Sequence, residues 1–72
     1  MGVVEAIEVT SGPMDLRSFS DLMLAARANI AKQAAGRRLG VASTVTSEFT
    51  STDNLGNKYL KRVVILKAEI LS

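Results

Sequence analysis

The sequence predicts an α+β fold: a single β-α-β-β unit in which a three-stranded, mostly antiparallel sheet packs on one helix. Three observations predict it. Residues 59–71, Tyr-Leu-Lys-Arg-Val-Val-Ile-Leu-Lys-Ala-Glu-Ile-Leu, are dense in aliphatic and β-branched side chains. Residues 19–34 carry one apolar stripe at helical spacing. An Asx-rich turn at residues 53–57 joins two strand-like segments into a hairpin. At 72 residues the chain is one domain, 1–72, with no linker, internal repeat or low-complexity segment.

Residues 3–10 read as the first strand. Val3, Ile7 and Val9 share one face with Glu5; Val4 and Ala6 share the other with Glu8 and Thr10. Ser11-Gly12-Pro13 ends it. Ser18 then fits a helix N-cap, with Asp21 at the reciprocal third position, although a start near Asp15 is an alternative. The helix is expected to run to about Ala35. Phe19, Leu22, Met23, Ala26, Ile30 and Ala34 form its stripe, with Asp21, Arg27 and Lys32 off it. Six alanines between residues 25 and 35 favour the helix and let it sit close to a sheet. Gly36 is placed to stop it in a left-handed conformation, and Arg37 and Arg38 complement its negative end.

Residues 41–52 read as the second strand, with Val41, Val45 and Phe49 alternating with Thr44, Thr46, Glu48 and Thr50. The final strand is apolar on both faces. Leu60, Val64, Leu66, Ala68 and Ile70 fall on one; Val63, Ile65 and Leu71 fall on the other, beside Lys61, Lys67 and Glu69. One helix covers one face, so the sequence leaves Val63 and Ile65 without cover and points to further copies of the chain. Size agrees: a domain this small is marginal alone and is usually supported by disulfides, metals or oligomerisation. The chain has no Cys and no His, which removes disulfides, thiolate chemistry, Cys zinc sites and the commonest metal ligand and general base.

Nine basic and seven acidic residues give a net charge of +2, too mild to demand an acidic partner. No apolar run approaches the ~20 residues of a membrane span. Met1-Gly-Val-Val-Glu-Ala lacks a cationic leader, and Ala6 stands where a myristoylation motif wants Ser or Thr. A cytoplasmic protein without a membrane partner is expected.

Each candidate site has a plain structural counterpart. Gly36-Arg-Arg-Leu-Gly40 resembles an anion loop but follows a helix, where the dipole repels anions, so a cap with solvated arginines is the better reading. Asp53-Asn-Leu-Gly-Asn57 spaces its oxygens as a calcium loop does, yet lacks the later bidentate Glu; an Asx turn is preferred and no metal site is assigned. Phe19 and Phe49 are read as core, which leaves Tyr59 alone among the aromatics and gives base stacking weak support. Cross-strand pairs such as Glu5 or Glu8 with Lys67 or Lys61 are preferred over a catalytic carboxylate pair. No catalytic residue is assigned.

Taken together, the opening Val-Val-Glu-Ala-Ile-Glu-Val-Thr-Ser, Ser18-Phe19 at the head of an Ala-rich helix, and Gly56-Asn-Lys-Tyr59 leading into the final strand resemble the dodecins. The resemblance implies a hollow homo-oligomer, dodecameric in that family, whose sheet wraps the helix and which in many members binds flavin. Flavin-binding members carry a Trp at the start of the second strand, where Leu39 or Val41 stands here, and a Gln after the hairpin Tyr, where Leu60 follows Tyr59. Both departures count against flavin held in that way, and the cofactor is left open. The segment Gly12–Leu16 is also longer than in the family.

The expectation is a non-enzymatic homo-oligomer that binds or stores a small ligand or forms a shell, with Leu39, Val41, Tyr59, Leu60, Val63 and Ile65 as ligand-binding or interface residues. The alternative is a small basic nucleic-acid-binding protein acting through Arg37, Arg38, Lys61 and Arg62. An enzyme with a site shared between copies ranks third.

Overall fold

Four elements follow one another in the computed structural model, which describes residues 2–72: β1 (Gly2–Val9), α1 (Phe19–Gln33), β2 (Leu39–Thr52) and β3 (Lys58–Ile70). Met1, the start of the Met-Gly pair read above, lies outside the described residues. The three strands form one antiparallel sheet in the order β1-β3-β2. The strand that is apolar on both faces thus takes the centre, where a neighbour on each side satisfies its backbone. In the β1–β3 register Val4 faces Ala68, Ala6 faces Leu66 and Ile7 faces Ile65.

α1 packs across β1 and β3. Its stripe lays Leu22, Ala26, Ile30 and Ala34 onto Val4, Ala6, Val64, Leu66 and Ala68, with Phe19, Met23 and Ile70 at the margin. Leu22, Ala26 and Val64 are wholly removed from solvent. Each such leucine- or valine-sized side chain contributes about 1.5–3 kcal/mol. The alanines bring the helix close to the sheet and keep this core thin.

The helix starts where Ser18 caps it. Ser18 Oγ accepts from the Asp21 N–H at 3.2 Å, and Asp21 Oδ2 accepts from the Ser18 N–H at 2.9 Å. Asp15, the alternative start, instead ties down the preceding loop. Its carboxylate accepts from the Ser11 N–H at 2.9 Å and from Arg17 Nε at 2.9 Å and Nη2 at 2.8 Å. Arg17 Nη2 also donates to the Val9 carbonyl at 3.0 Å. At the far end α1 stops at Gln33, two residues earlier than expected. Ala34 is the cap, and the Arg37 N–H closes a turn on the Ala34 carbonyl at 2.9 Å. Gly36 occupies the third position of that turn at φ +75°, a conformation open to glycine at little cost.

The hairpin turn is held by Asp53, whose Oδ1 accepts from the Leu55 N–H at 3.0 Å and the Asn57 N–H at 2.8 Å. The oxygen pattern of this segment therefore serves the turn itself.

Lengths decide what is covered. Fifteen helical residues span about 22 Å, whereas the fourteen of β2 span about 46 Å. The molecule measures 46 × 19 × 17 Å. β1 ends against Val63, and beyond it the β2–β3 hairpin continues as a two-stranded arm without the helix. Two expectations change. Leu60 lies on the helix-side face but past the helix, and Phe49, expected in the core, opposes Lys61 on the face turned away from α1 and is 47% exposed.

Candidate functional site

The face of the sheet turned away from α1 exposes several large apolar side chains, among them Val3, Ile7, Val41 and Val45. Antiparallel pairing places directly opposed residues on one face, so the registers define its rows. Ile7, Ile65 and Val45 cross the three strands side by side, and Val9, Val63 and Ser47 form the next row. Val3 and Val41 flank Glu69 at one end. Phe49 opposes Lys61 and Ser51 opposes Tyr59 on the arm. Val3, Ile7, Val41 and Val45 are each more than half exposed, while Val63 and Ile65, hemmed by neighbours on both sides, are half-buried.

Charges sit among these apolar rows. Lys67 Nζ lies 3.5 Å from Glu5 Oε2, directly across the β1–β3 pair, one of the cross-strand pairs expected of Glu5 or Glu8 with Lys67 or Lys61. Both side chains are about half exposed, so the pair adds little stability. A hollow of about 230 Å³ opens beside it, lined by Val3, Val41, Ser43, Lys67, Ala68 and Glu69. On the other face, a trough of about 540 Å³ runs between α1 and β2. Ile30, Ala31 and Leu66 line it with Thr44, and Arg27 stands among them.

The six residues expected at a ligand or interface site divide between these surfaces. Val41, Tyr59, Val63 and Ile65 lie on the open face. Leu39 opposes Ile70 and lines the helix-side trough, and Leu60 projects from the helix-side face of the arm. The open face also gathers Val3, Ile7, Val9, Val45 and Phe49. Their alternation was visible in the sequence; the register that unites them with β3 was not.

The basic residues of the nucleic-acid alternative are spread out. Arg37 and Arg38 follow the helix, where Arg37 Nε donates to the Ser72 carbonyl at 2.9 Å and the Arg38 carbonyl accepts from the Leu71 N–H at 2.8 Å. Lys61 and Arg62 lie at the other end of the covered sheet, about 27 Å away along β3, and on opposite faces of it. Arg62 is turned inward. Its Nε donates to Glu48 Oε2 at 3.1 Å, its Nη1 donates to the Arg17 carbonyl at 3.2 Å, and its guanidinium stands 5.9 Å from the Phe19 ring centroid. Beside it, buried Thr10 closes the edge of β1: its N–H donates to the Arg62 carbonyl at 3.0 Å and its Oγ1 accepts from the Arg62 N–H at 2.8 Å.

Three carboxylates are held below the usual range by local donors. For Asp15 the chief cause is the Arg17 side chain, followed by the Ser11 N–H. For Asp21 it is the Ser18 N–H, and for Asp53 the Asn57 N–H. All three serve loops and caps. Among the described residues no group of three acidic side chains is arranged to hold a metal ion, and every buried side-chain polar atom has a partner.

The chain exposes more surface than its mass requires. A compact protein of 7.7 kDa exposes about 4,300 Å², against 4951 Å² here. Its radius of gyration is 14.3 Å, where a compact chain of this length has about 11 Å. In comparisons with known proteins, the chain matches no family model, no curated protein and no solved structure.

Proposed function

We propose that this protein works as a non-enzymatic homo-oligomer, a dodecin-like assembly that holds a small ligand between copies or forms a shell. The observation that carries this reading is the open face of the sheet. Val3, Ile7, Val9, Val41, Val45, Val63 and Ile65 present apolar rows, interrupted by the Glu5–Lys67 pair, that no described element covers. The excess of roughly 600 Å² over a compact monomer approaches the ~800 Å² that each partner contributes to a standard interface. The β-α-β-β order agrees with the resemblance seen in the sequence.

Light scattering and native mass spectrometry test the assembly. A mass of several times 7.7 kDa is expected at micromolar concentration, and a stable monomer would end the proposal. Absorbance of the purified assembly, followed by mass spectrometry of what denaturation releases, tests for a carried ligand. Neither bound small molecule nor uptake of one would reduce the reading to a shell.

A further inference from the structure

β2 is the longer open edge of the sheet, and beyond a register shift between Leu39 and Ala42 it carries few of the usual defences of an edge. Its fourteen residues include one charged side chain, Glu48, and neither Lys nor Pro. Edge strands of proteins that remain alone are commonly blunted by such residues or kept short. The other edge, β1, has eight residues and carries Glu5 and Glu8.

The direction of the free backbone groups follows from two hydrogen bonds. The Arg62 carbonyl of β3 accepts from Thr10 on the β1 side, and the Asp53 N–H donates to the Asn57 carbonyl across the hairpin. Alternation along antiparallel strands then turns Ser43, Val45, Ser47 and Phe49 toward β3. It turns the N–H and C=O groups of Ala42, Thr44, Thr46 and Glu48 outward to the open edge.

The residues on this edge read alike in both directions from Val45. Thr44 mirrors Thr46, Ser43 mirrors Ser47, and Val41 mirrors Phe49 as an apolar residue. An antiparallel pair of identical strands about a twofold axis places residue 45+n of one copy opposite residue 45−n of the other. We propose that β2 pairs in this way with β2 of a second copy, centred on Val45, to give one continuous six-stranded sheet. Thr then meets Thr, Ser meets Ser, and Val41 meets Phe49 on the open face. Glu48 meets Ala42, so the only charge on the strand avoids its own copy. Centred one residue on, at Thr46, the same edge would set Ser43 against Phe49 and Val45 against Ser47, which matches polar to apolar. The pairing also merges the two open faces into one apolar surface.

The inference rests on the homo-oligomeric reading, and its test separates the two. The chain has no cysteine of its own, so introduced ones report cleanly. Val45→Cys sits on the axis at a non-hydrogen-bonded pair, where opposed Cβ atoms lie about 4.5–5.5 Å apart, and is expected to form a disulfide-linked dimer under mild oxidation. Ser43→Cys alone is expected not to cross-link, because its own copy lies about 13 Å along the strand. A mixture of the Ser43→Cys and Ser47→Cys proteins is expected to cross-link as a heterodimer. Thr46→Pro removes an outward N–H without touching the β2–β3 ladder, and is expected to halve the native mass or reduce it further while the circular dichroism of the chain persists. A wild-type monomer overturns both readings. A wild-type oligomer in which Val45→Cys fails to cross-link and Thr46→Pro keeps its mass overturns the edge pairing alone.

Discussion

The two faces of β3 differ little in composition and greatly in fate. Val64, Leu66 and Ala68 lie under α1 and are buried; Val63 and Ile65, on the alternate positions, see only their strand neighbours. A hydrophobic residue here is core or surface according to whether a second layer reaches it. The helix, at about 22 Å, matches the eight residues of β1, about 26 Å, and leaves the longer hairpin bare. What the chain leaves uncovered is therefore a consequence of unequal element lengths, and it concentrates on one face and one arm.

The largest effect that would sharpen this contrast is expected at Leu22. It is wholly buried against the sheet, and Leu22→Ala should cost about 2–5 kcal/mol, read from the urea midpoint at unchanged slope. Ile7→Lys on the open face should do the reverse. It forfeits only a cross-strand pair with Ile65, about 0.2–1 kcal/mol of chain stability, yet should lower the native mass severalfold. A loss of several kcal/mol at Ile7 with the mass intact would break the distinction between the faces. Thr10→Val leaves the Arg62 N–H without its acceptor and is expected to cost about 1–3 kcal/mol by thermal melting, without change in mass. Ser18→Ala removes half of the capping box, with an expected loss of about 1 kcal/mol.

The smallest effect concerns acid. Asp15, Asp21 and Asp53 all titrate below their unfolded value of about 4. Folded carboxyls with depressed pKa values add stability that is fully present above that pH and is lost as pH falls through the folded values. Urea midpoints should thus be flat in this contribution from pH 7 to about 4.5 and decline below it. Asp15→Asn should shallow that decline, and an unchanged acid limb would remove Asp15 from the account.

Much of this arrangement is legible from local chemistry. Ser18 and Asp21 announce the helix start because a cap needs only residues three apart. The stripe from Phe19 to Ala34 announces the buried face because helical spacing is local. A pair between Glu5 or Glu8 and Lys67 or Lys61 could be expected because each strand shows its own alternation, and the register selects Glu5 with Lys67. What is not legible is relational. Leu39 and Leu60 were grouped with Val63 and Ile65 through the family resemblance, although alternation sets Leu60 on the other face of β3; Phe49 was placed in the core because period two groups residues by face without saying which face the helix covers. Arg62 counted as a free cation until folding brought Glu48, Phe19 and the Arg17 carbonyl around it.

The strand order has a kinetic consequence. β1 and β2 lie on either side of β3 and do not pair with each other, so the first strand must wait for the last before it has any sheet partner. The hairpin of β2 and β3 can close locally, but β1 joins it only across contacts some sixty residues apart in sequence, such as Val4 with Ala68. Such non-local closure slows folding. During synthesis an apolar first strand and helix would remain unsheltered until the final segment emerges, which makes the last strand the keystone in time as well as in space.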